Sequence, residues 1–356
     1  MQMRTVCLVE LSPRYISKNM KRAKRLLFVG ACGVYFRSFM QEDFDLLRGE
    51  FDVRLVKVCY SKRDLKSALK THLELIAGVA WADVAFCWFA SYEAFATVAL
   101  SQLFNRRTAL VVGGADVTTI LELEYGLALH SKSRFYQKFA LNRATRVLPY
   151  SKDAERGALG LLNDPSKVTL MYLGVDSKKF HPLGSKKDIV MTVGDVTLSN
   201  LKRKGLETFV KSAAYLPDVE FVLIGRFLDS SIDYLRSIAT KNVRFTGFLA
   251  ESELIKQYQQ AKVYVQVSAH EAFGVAVAEA MACECVPLVT DNGSLPEVVG
   301  ETGMYVPYDD PAATAEGISQ ALKSEKGGVA RQRINQMFTI DRRREALVRT
   351  MNELFD

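Results

Sequence analysis

The chain has 356 residues, 49% of them hydrophobic and 24% charged, with a mean hydropathy of +0.02. These values exclude a disordered, a collagenous and a largely membrane-embedded chain. A single core stops growing at roughly 250–300 residues, so two domains with a cleft between them are expected. The formal charge of +7 is lopsided: residues 1–182 carry 27 Lys and Arg against 17 Asp and Glu, residues 183–356 carry 20 against 23.

Seven of those bases (Arg4, Arg14, Lys18, Lys21, Arg22, Lys24, Arg25) fall in the first 25 residues, against Glu10 alone. The excess is therefore mostly a property of this leader, and it does not argue for nucleic acid. Met20 stands before Lys-Arg-Ala-Lys-Arg and the first buried strand, and is expected to be the true start. The apolar run 26–36 leads into a Gly turn without a signal-peptide cleavage site. A cytoplasmic protein is expected, its basic half able to touch the inner face of an anionic membrane peripherally. The six cysteines show neither a Cys-x-x-Cys pair nor a His spacing suited to zinc. Cys283 and Cys285 read as small buried hydrophobes.

From residue 26, short apolar runs alternate with helix-period segments, the pattern of a doubly wound parallel sheet. Strands are expected at 26–30, 52–58, 83–88, 108–112, 145–149 and 168–172. A helix over 63–79 sets Lys62, Arg63, Lys66 and Lys70, a solvated face, beside Leu65, Leu69, Leu73 and Leu75. The run 84–104 is long enough for a membrane span but carries Glu93 centrally, so it reads as a strand and a helix. A polar linker with Pro182 and Gly184 follows around 177–188. The second series has strands at 189–194, 219–224, 243–246, 263–267, 286–289 and 303–306, then helices at 310–323 and 341–354. The expected division is a leader over 1–25, domains over 26–182 and 183–335, and a closing helix over 336–356 that returns to the first domain.

The densest chemistry lies at 268–282, Ser-Ala-His-Glu-Ala-Phe-Gly-Val-Ala-Val-Ala-Glu-Ala-Met-Ala. A strand end, a Gly turn and an Ala-rich helix follow one another there. Free N–H groups at such a helix start, backed by the macrodipole, suit an anion such as a diphosphate. Glu271 and Glu279, eight residues apart, span roughly 12 Å along a helix and cannot flank one bond as a hydrolase pair. They would grip different parts of a long ligand.

Glu271 and Glu279 around Phe273-Gly274 resemble the diagnostic motif of GT-B glycosyltransferases, glycosyltransferase family 4 in particular. Tyr-Leu-Gly-Val-Asp-Ser-Lys-Lys-Phe-His-Pro at 172–182, Lys204-Gly205, the segment 285–297 and Gly-Met-Tyr-Val-Pro at 303–307 agree in order and spacing. The resemblance covers about 145–325 in detail and the first half by architecture alone. It implies two Rossmann-like domains facing across a cleft, and a retaining enzyme that moves a sugar from a nucleoside-diphosphate donor to an acceptor hydroxyl, with no obligatory metal or cofactor. It further implies that Glu279 receives the ribose hydroxyls and Glu271 the donor sugar. Backbone N–H groups of Phe273, Gly274 and Val275 would meet phosphate or sugar oxygens, Lys204 the diphosphate, and the Gly30 and Gly33 turn would approach the same diphosphate.

Two positions depart from the family. Asp195 stands where an Arg is usual, and a carboxylate there would repel a diphosphate; Lys202 or Arg203 is expected to supply the missing cation, with Arg226 as the fallback. The histidine usual after the fourth strand is also missing. That strand ends Val-Val-Gly-Gly-Ala-Asp-Val at 111–117, which leaves Asp116 as a site residue or a helix cap, and Gly113-Gly114 as a place for close ligand approach. Glu122, Glu124 and Tyr125 read as solvated helix residues or as groups facing the acceptor. Of the histidines, His270 belongs beside the cleft; His72 and His130 read as surface residues and His181 as part of the linker. Asp43-Phe-Asp45 sits in the first helix and is discounted as a metal motif. The rivals are a different GT-B reaction, such as sugar-nucleotide epimerisation, and a non-catalytic sugar-nucleotide-binding subunit. A phosphorylase would need a phosphate or cofactor pocket that the sequence does not locate. A dinucleotide-dependent oxidoreductase is disfavoured because no strand runs into Gly-x-Gly-x-x-Gly.

Overall fold

The computed structural model describes residues 23–31, 38–58 and 65–356. Met20 and Gly33 lie outside them. The first sheet contains β1 (Arg25–Ala31), β2 (Asp52–Val58), β3 (Val84–Trp88), β4 (Arg107–Val112) and β5 (Arg146–Pro149), all parallel, in the order β2-β1-β3-β4-β5. Its helices are α1 (Ser38–Arg48), α2 (Leu65–Trp81), α3 (Tyr92–Leu103), α4 (Ser131–Arg143) and α5 (Lys152–Leu159). The chain steps one way through α1 and the other way through α2, α3 and α4, so right-handed crossovers put α1 on one face and the rest on the other. The strands show why both faces must be covered. Leu26 and Phe28 pack with Met40 and Leu47 of α1, whereas Leu27 and Val29 pack with Leu75, Val79, Val98 and Leu141 beneath α2 to α4.

The second sheet contains β6 (Lys187–Val193), β7 (Glu220–Ile224), β8 (Val243–Gly247), β9 (Ala261–Gln266), β10 (Val286–Val289) and β11 (Met304–Tyr305), in the order β11-β10-β9-β6-β7-β8. It carries α6 (Leu198–Arg203), α7 (Leu206–Ser212), α8 (Ser231–Ile238), α9 (Glu251–Gln260), α10 (Val275–Ala282), α11 (Leu295–Val299), α12 (Pro311–Leu322) and α13 (Gly327–Met337). In both sheets the loops leaving the carboxyl ends of the central strands are where an open parallel sheet places its ligands. Cys283 and Cys285 are fully buried free thiols. No helix among the described residues is long and apolar enough to cross a membrane.

Two expectations are corrected. Residues 168–172 are not a ladder strand: they run beside β5 through a single bridge, Val147 to Val168, with the Thr169 and Met171 N–H groups bonded to the Val147 and Pro149 carbonyls. Of Leu69, Leu73 and Leu75 on α2, Leu75 alone is buried; Leu69 and Leu73 are 63% and 57% exposed, because the stripe that faces the sheet runs through Thr71, Leu75, Gly78 and Val79.

The final helix, α14 (Ile340–Phe355), lies on the α1 face of the first sheet. The two chain crossings between the sheets pair with each other. Val175 N–H donates to the Phe338 carbonyl, and Ile340 N–H to the Val175 carbonyl. The helix is anchored by a buried ion pair, Arg343 to Asp43 at 2.7 and 3.0 Å, and Arg343 also donates to the Met171 carbonyl at 2.6 Å. Removing one partner of such a pair leaves an uncompensated charge, so Arg343→Met is expected to cost about 3–5 kcal/mol of stability. Asp43→Leu with Arg343→Met should recover most of that loss. Urea unfolding of the three forms checks this, and a single variant as stable as the double one would refute it.

Candidate functional site

The centre of the cleft is built on the end of β9. Beyond Gln266 the chain runs through Ser268, His270 and Glu271 to Gly274, whose backbone is left-handed at φ +83° and turns the chain into α10. The β10 loop holds this run from behind. Thr290 and Asn292 side chains donate to the Ser268 carbonyl at 2.6 and 3.2 Å, and Ser294 donates to the Glu271 carbonyl through both its N–H and its hydroxyl at 2.9 Å. From the other side the Ala269 N–H reaches the Arg203 carbonyl at the end of α6. The next two residues are Lys204 and Gly205. Gly205 has φ +67°, and a Cβ there would stand 2.0 Å from the Val267 carbonyl oxygen. Only glycine allows α7 to start there, and this brings Lys204 back to Glu271.

The Lys204 ammonium meets Glu271 Oε1 at 2.8 Å, and Gln266 and Ser268 donate to the same oxygen at 3.2 and 3.3 Å. Oε2 has no hydrogen-bond partner among the described residues. Burial alone would raise Glu271, but the charges of Lys204 and Arg203, the Lys204 hydrogen bond and His270 together hold it below the usual carboxylate range. The site thus offers an ionised carboxylate with one oxygen saturated and the other open. Phe273 is buried against Tyr172 and Phe338 and props the turn. Beyond it, the N–H groups of Val275 and Ala276 begin α10 ahead of its first intrahelical bond, Ala278 to Gly274.

Glu279 lies further along α10, half-buried, and accepts from the Tyr258 hydroxyl at 3.0 Å. Burial pushes it up to about 8, and the negative charges of Glu42 and Glu251 add to that against Tyr258 and Lys179. Glu42, from α1 of the first domain, is pushed up to about 7 by burial and by Asp43, Glu251 and Asp176, with Lys179 opposing. Nothing local in the sequence shows that α1 brings a carboxylate to this place.

The flanking cations separate clearly. Lys202 does not turn to Glu271: its ammonium pairs with Asp309 at 3.2 Å and Glu207 at 3.4 Å. Arg226 is held by Asp195 through its Nε at 3.1 Å, a terminal nitrogen at 2.5 Å and its own N–H at 3.1 Å. Asp195 is therefore already neutralised from the neighbouring strand. Arg203 donates to Asn200 at 2.6 Å, lies 5.4 Å over the Tyr125 ring and makes no ion pair among the described residues.

The first domain contributes differently from expectation. Asp116 is 2% exposed, with its oxygens accepting the Ala90 and Gly113 N–H groups at 3.0 Å each. It ties the loops after β3 and β4 together, as neither a cleft-facing carboxylate nor a helix cap; burial pushes it up to about 7 against those two hydrogen bonds. The Gly113-Gly114 pair serves tyrosines. A Cβ on Gly113 would enter the Tyr150 ring at 2.2 Å, and one on Gly114 would meet the Tyr125 hydroxyl at 2.9 Å and Ala272 at 3.5 Å. Tyr125 is half-buried with its ring 5.7 Å from His270, whereas Glu122 and Glu124 are exposed. His270 spans the cleft, Nε2 to Asp153 of α5 at 2.8 Å, with its buried Nδ1 unpartnered. Beside it Glu297 accepts the Lys152 N–H at 2.9 and 3.0 Å, capping α5 from the second domain. No group of three or more His, Cys, Asp or Glu suited to a metal occurs among the described residues.

Residues 187–324 match the family of glycosyl transferases group 1. The chain is 39% identical over 241 residues to the serotype-specific mannosyltransferase WbdA of Escherichia coli, covering 59% of this chain and 30% of that protein. It is 28% identical over 189 residues to the alpha-maltose-1-phosphate synthase of Mycolicibacterium smegmatis, covering 45% of this chain and 48% of that protein. The chain thus spans about a third to a half of the length of these curated relatives. Among solved structures, Anabaena Alr3699/HepE in complex with UDP and glucose superposes with a TM-score of 0.76 at 14% identity, over 93% of this chain and 100% of that one. Sucrose-phosphate synthase from Thermosynechococcus elongatus superposes with a TM-score of 0.78 at 20% identity, over 93% and 99%. The fold is GT-B, and the match to the glycosyl transferases group 1 family falls on the second sheet and its helices, residues 187–324.

Glu279 gives a pH test of the site. With its proton held up to about pH 8 when folded but only to about 4.5 when unfolded, the folded state binds more protons between those values. This contribution to stability falls as pH rises through that window. Glu279→Gln should therefore gain melting temperature over the parent progressively from pH 5 to pH 8. An equal difference at both ends would refute the assignment.

Proposed function

We propose that the protein is a retaining glycosyltransferase that moves a hexosyl group from a nucleoside-diphosphate donor to a hydroxyl acceptor. The observation that carries this is the Lys204–Glu271 pair at the mouth of α10, with an open carboxylate oxygen for a sugar hydroxyl beside an ammonium for a diphosphate. The mannosyltransferase relative and the UDP-bound neighbour support a nucleotide-sugar donor, and the mannosyl group is the first to test.

The chemistry asked of the protein is electrostatic. Negative charge grows on the leaving diphosphate as the glycosidic bond breaks, and preorganised donors stabilise it more than they stabilise the bound substrate. Lys204 and the free N–H groups of α10 provide them, and Arg203 adds the cation that Asp195 and its neighbours do not. Lys202, already balanced by two carboxylates, takes no part. The acceptor proton passes to the leaving phosphate on the same face of the sugar, so configuration is retained and no protein nucleophile is needed. Glu279 receives the ribose hydroxyls, and it does so best as a carboxylate. The acceptor is bound by the first domain, with peripheral membrane contact where that acceptor is a lipid.

Incubation with GDP-mannose and UDP-glucose, scored by transfer or donor hydrolysis and by the anomeric proton of the product, tests the reading; binding without turnover would favour a sugar-nucleotide-binding subunit. Lys204→Met should lower kcat by about 10²–10³-fold, the usual effect of losing one donor to a developing oxyanion. Arg203→Ala should weaken nucleotide binding while Lys202→Ala leaves it unchanged; the reverse ranking in calorimetry would refute the assignment of the cation. Calorimetry at pH 7 in buffers of different ionisation enthalpy should show proton release on nucleotide binding, and Glu279→Gln should abolish it.

A further inference from the structure

Helices α2, α3 and α4 form one layer on the first sheet, and the outer side of that layer is unusually apolar. Leu69, Leu73 and Ile76 of α2 are 63%, 57% and 40% exposed, Phe135 of α4 is 58% exposed and Leu103 at the end of α3 is 79% exposed. The surface is continuous across the helices. His72 bonds Tyr92 at 2.7 Å, Tyr92 packs on Tyr136 at 5.3 Å, and Phe95 packs on Phe135 and Phe139 at 5.6 and 4.9 Å.

The charge around this surface is mostly positive, with Glu74 on α2 and Glu93 at the start of α3 as the acids of the three helices. Helix α4 carries Lys132, Arg134, Lys138 and Arg143 with no acid, and exposed Lys66 and Lys70 flank Leu69 on α2, against Glu74 alone. Aliphatic residues set among lysines and arginines, with Tyr and Phe between, are the composition of a surface that sits at the headgroup level of an anionic bilayer. A two-fold contact with a second copy through this face would set the bases of α4 against each other. None of the cleft residues lies on α2, α3 or α4, so occupation of this layer leaves the site open.

We propose that the outer face of α2, α3 and α4 is a docking surface for anionic lipid membrane, which seats the acceptor-side domain on the bilayer. It rests on the transferase reading only for its purpose, an acceptor held at that surface.

Flotation of the full chain with vesicles of phosphatidylcholine, with and without phosphatidylglycerol, tests this. Binding is expected to the anionic vesicles only and to weaken with salt. Each base contributes about a five-fold change in partitioning, so Lys66→Glu with Lys70→Glu should lower it at least tenfold. Leu69→Glu with Leu73→Glu, both at exposed positions, should lower it as far. Both variants should keep the parent's thermal shift with UDP or GDP, which reports folding and the donor site separately. Binding of these variants equal to the parent's would place the attachment elsewhere, such as the basic leader, and overturn the proposal. So would the absence of vesicle binding together with a dimer in sedimentation that Leu69→Glu and Leu73→Glu dissociate. Loss of nucleotide response in the parent would count against the transferase reading and leave the vesicle result standing.

Discussion

A charge taken out of water must be matched in place, and the meeting of Lys204 with Glu271 at 2.8 Å imposes that condition on the second domain. Glu271 is 9% exposed, and an unmatched carboxylate there would take up a proton. The surrounding structure keeps the pair together. Gly205 brings Lys204 back over the sheet, Arg203 lends its carbonyl to Ala269, and Thr290, Asn292 and Ser294 fix the backbone that carries Glu271. A buried line from the Tyr264 hydroxyl to Gln266, and from Gln266 to Ser268 and Glu271, closes the arrangement from below. Polar networks of this kind are stable only when each member is satisfied, and the opening left at Oε2 is therefore a specific one.

The first domain meets this centre through polar and ring contacts at the cleft, and one buried apolar cluster runs from the first sheet to the second behind them. His270 to Asp153 and Glu297 to the start of α5 hold the domains on one side of the cleft, and the Tyr125 ring lies against both His270 and Arg203. Far from the cleft, the paired crossings at Val175 and Ile340 and the Arg343–Asp43 pair tie α14 to α1. Because α1 also carries Glu42, which helps burial raise Glu279, its placement by Arg343 reaches the Glu279 side of the cleft. The polar contacts at the cleft can be exchanged for water at small cost, whereas the buried Arg343–Asp43 pair and the apolar faces of each sheet cannot.

How much of this was legible depends on whether the signal is local. The parallel architecture followed from apolar runs alternating with helical periods, and the run from Ser268 to Ala282 located its chemistry through a Gly turn set before a helix. Lys204-Gly205 stood out only through its resemblance to the family's Lys-Gly, and the left-handed turn at Gly205 gives that pair a physical reason. The misreadings all concern partners distant in sequence. Asp195 looked like a repulsive charge until β7 brought Arg226 beside it, 31 residues away. Asp116 read as a site residue or a helix cap, but its partners are N–H groups of two loops, one of them 26 residues earlier. Gly113-Gly114 suggested a ligand, and the ring that needs the space belongs to Tyr150. Residues 168–172 had strand composition, yet only alternate N–H groups found a neighbour.

The cations around the cleft show how position decides function where composition cannot. Lys202, Arg203, Lys204 and Arg226 are equivalent in a charge count, but their partners differ. Lys202 and Arg226 are balanced by Glu207, Asp309 and Asp195, so an arriving diphosphate would have to compete with carboxylates already at hydrogen-bond distance. Lys204 is balanced by Glu271, whose other oxygen is open, so a donor that engages both groups exchanges one contact for two. Among the described residues Arg203 has the neutral partners Asn200 and Tyr125 and no ion pair, so its guanidinium can turn to an anion without breaking one. Substituting aspartate for the usual arginine at 195 therefore shifts the positive charge from the end of β6 to the end of α6. There Tyr125 of the opposite domain lies against it, so the charge that an arriving diphosphate would meet depends on how the two domains come together.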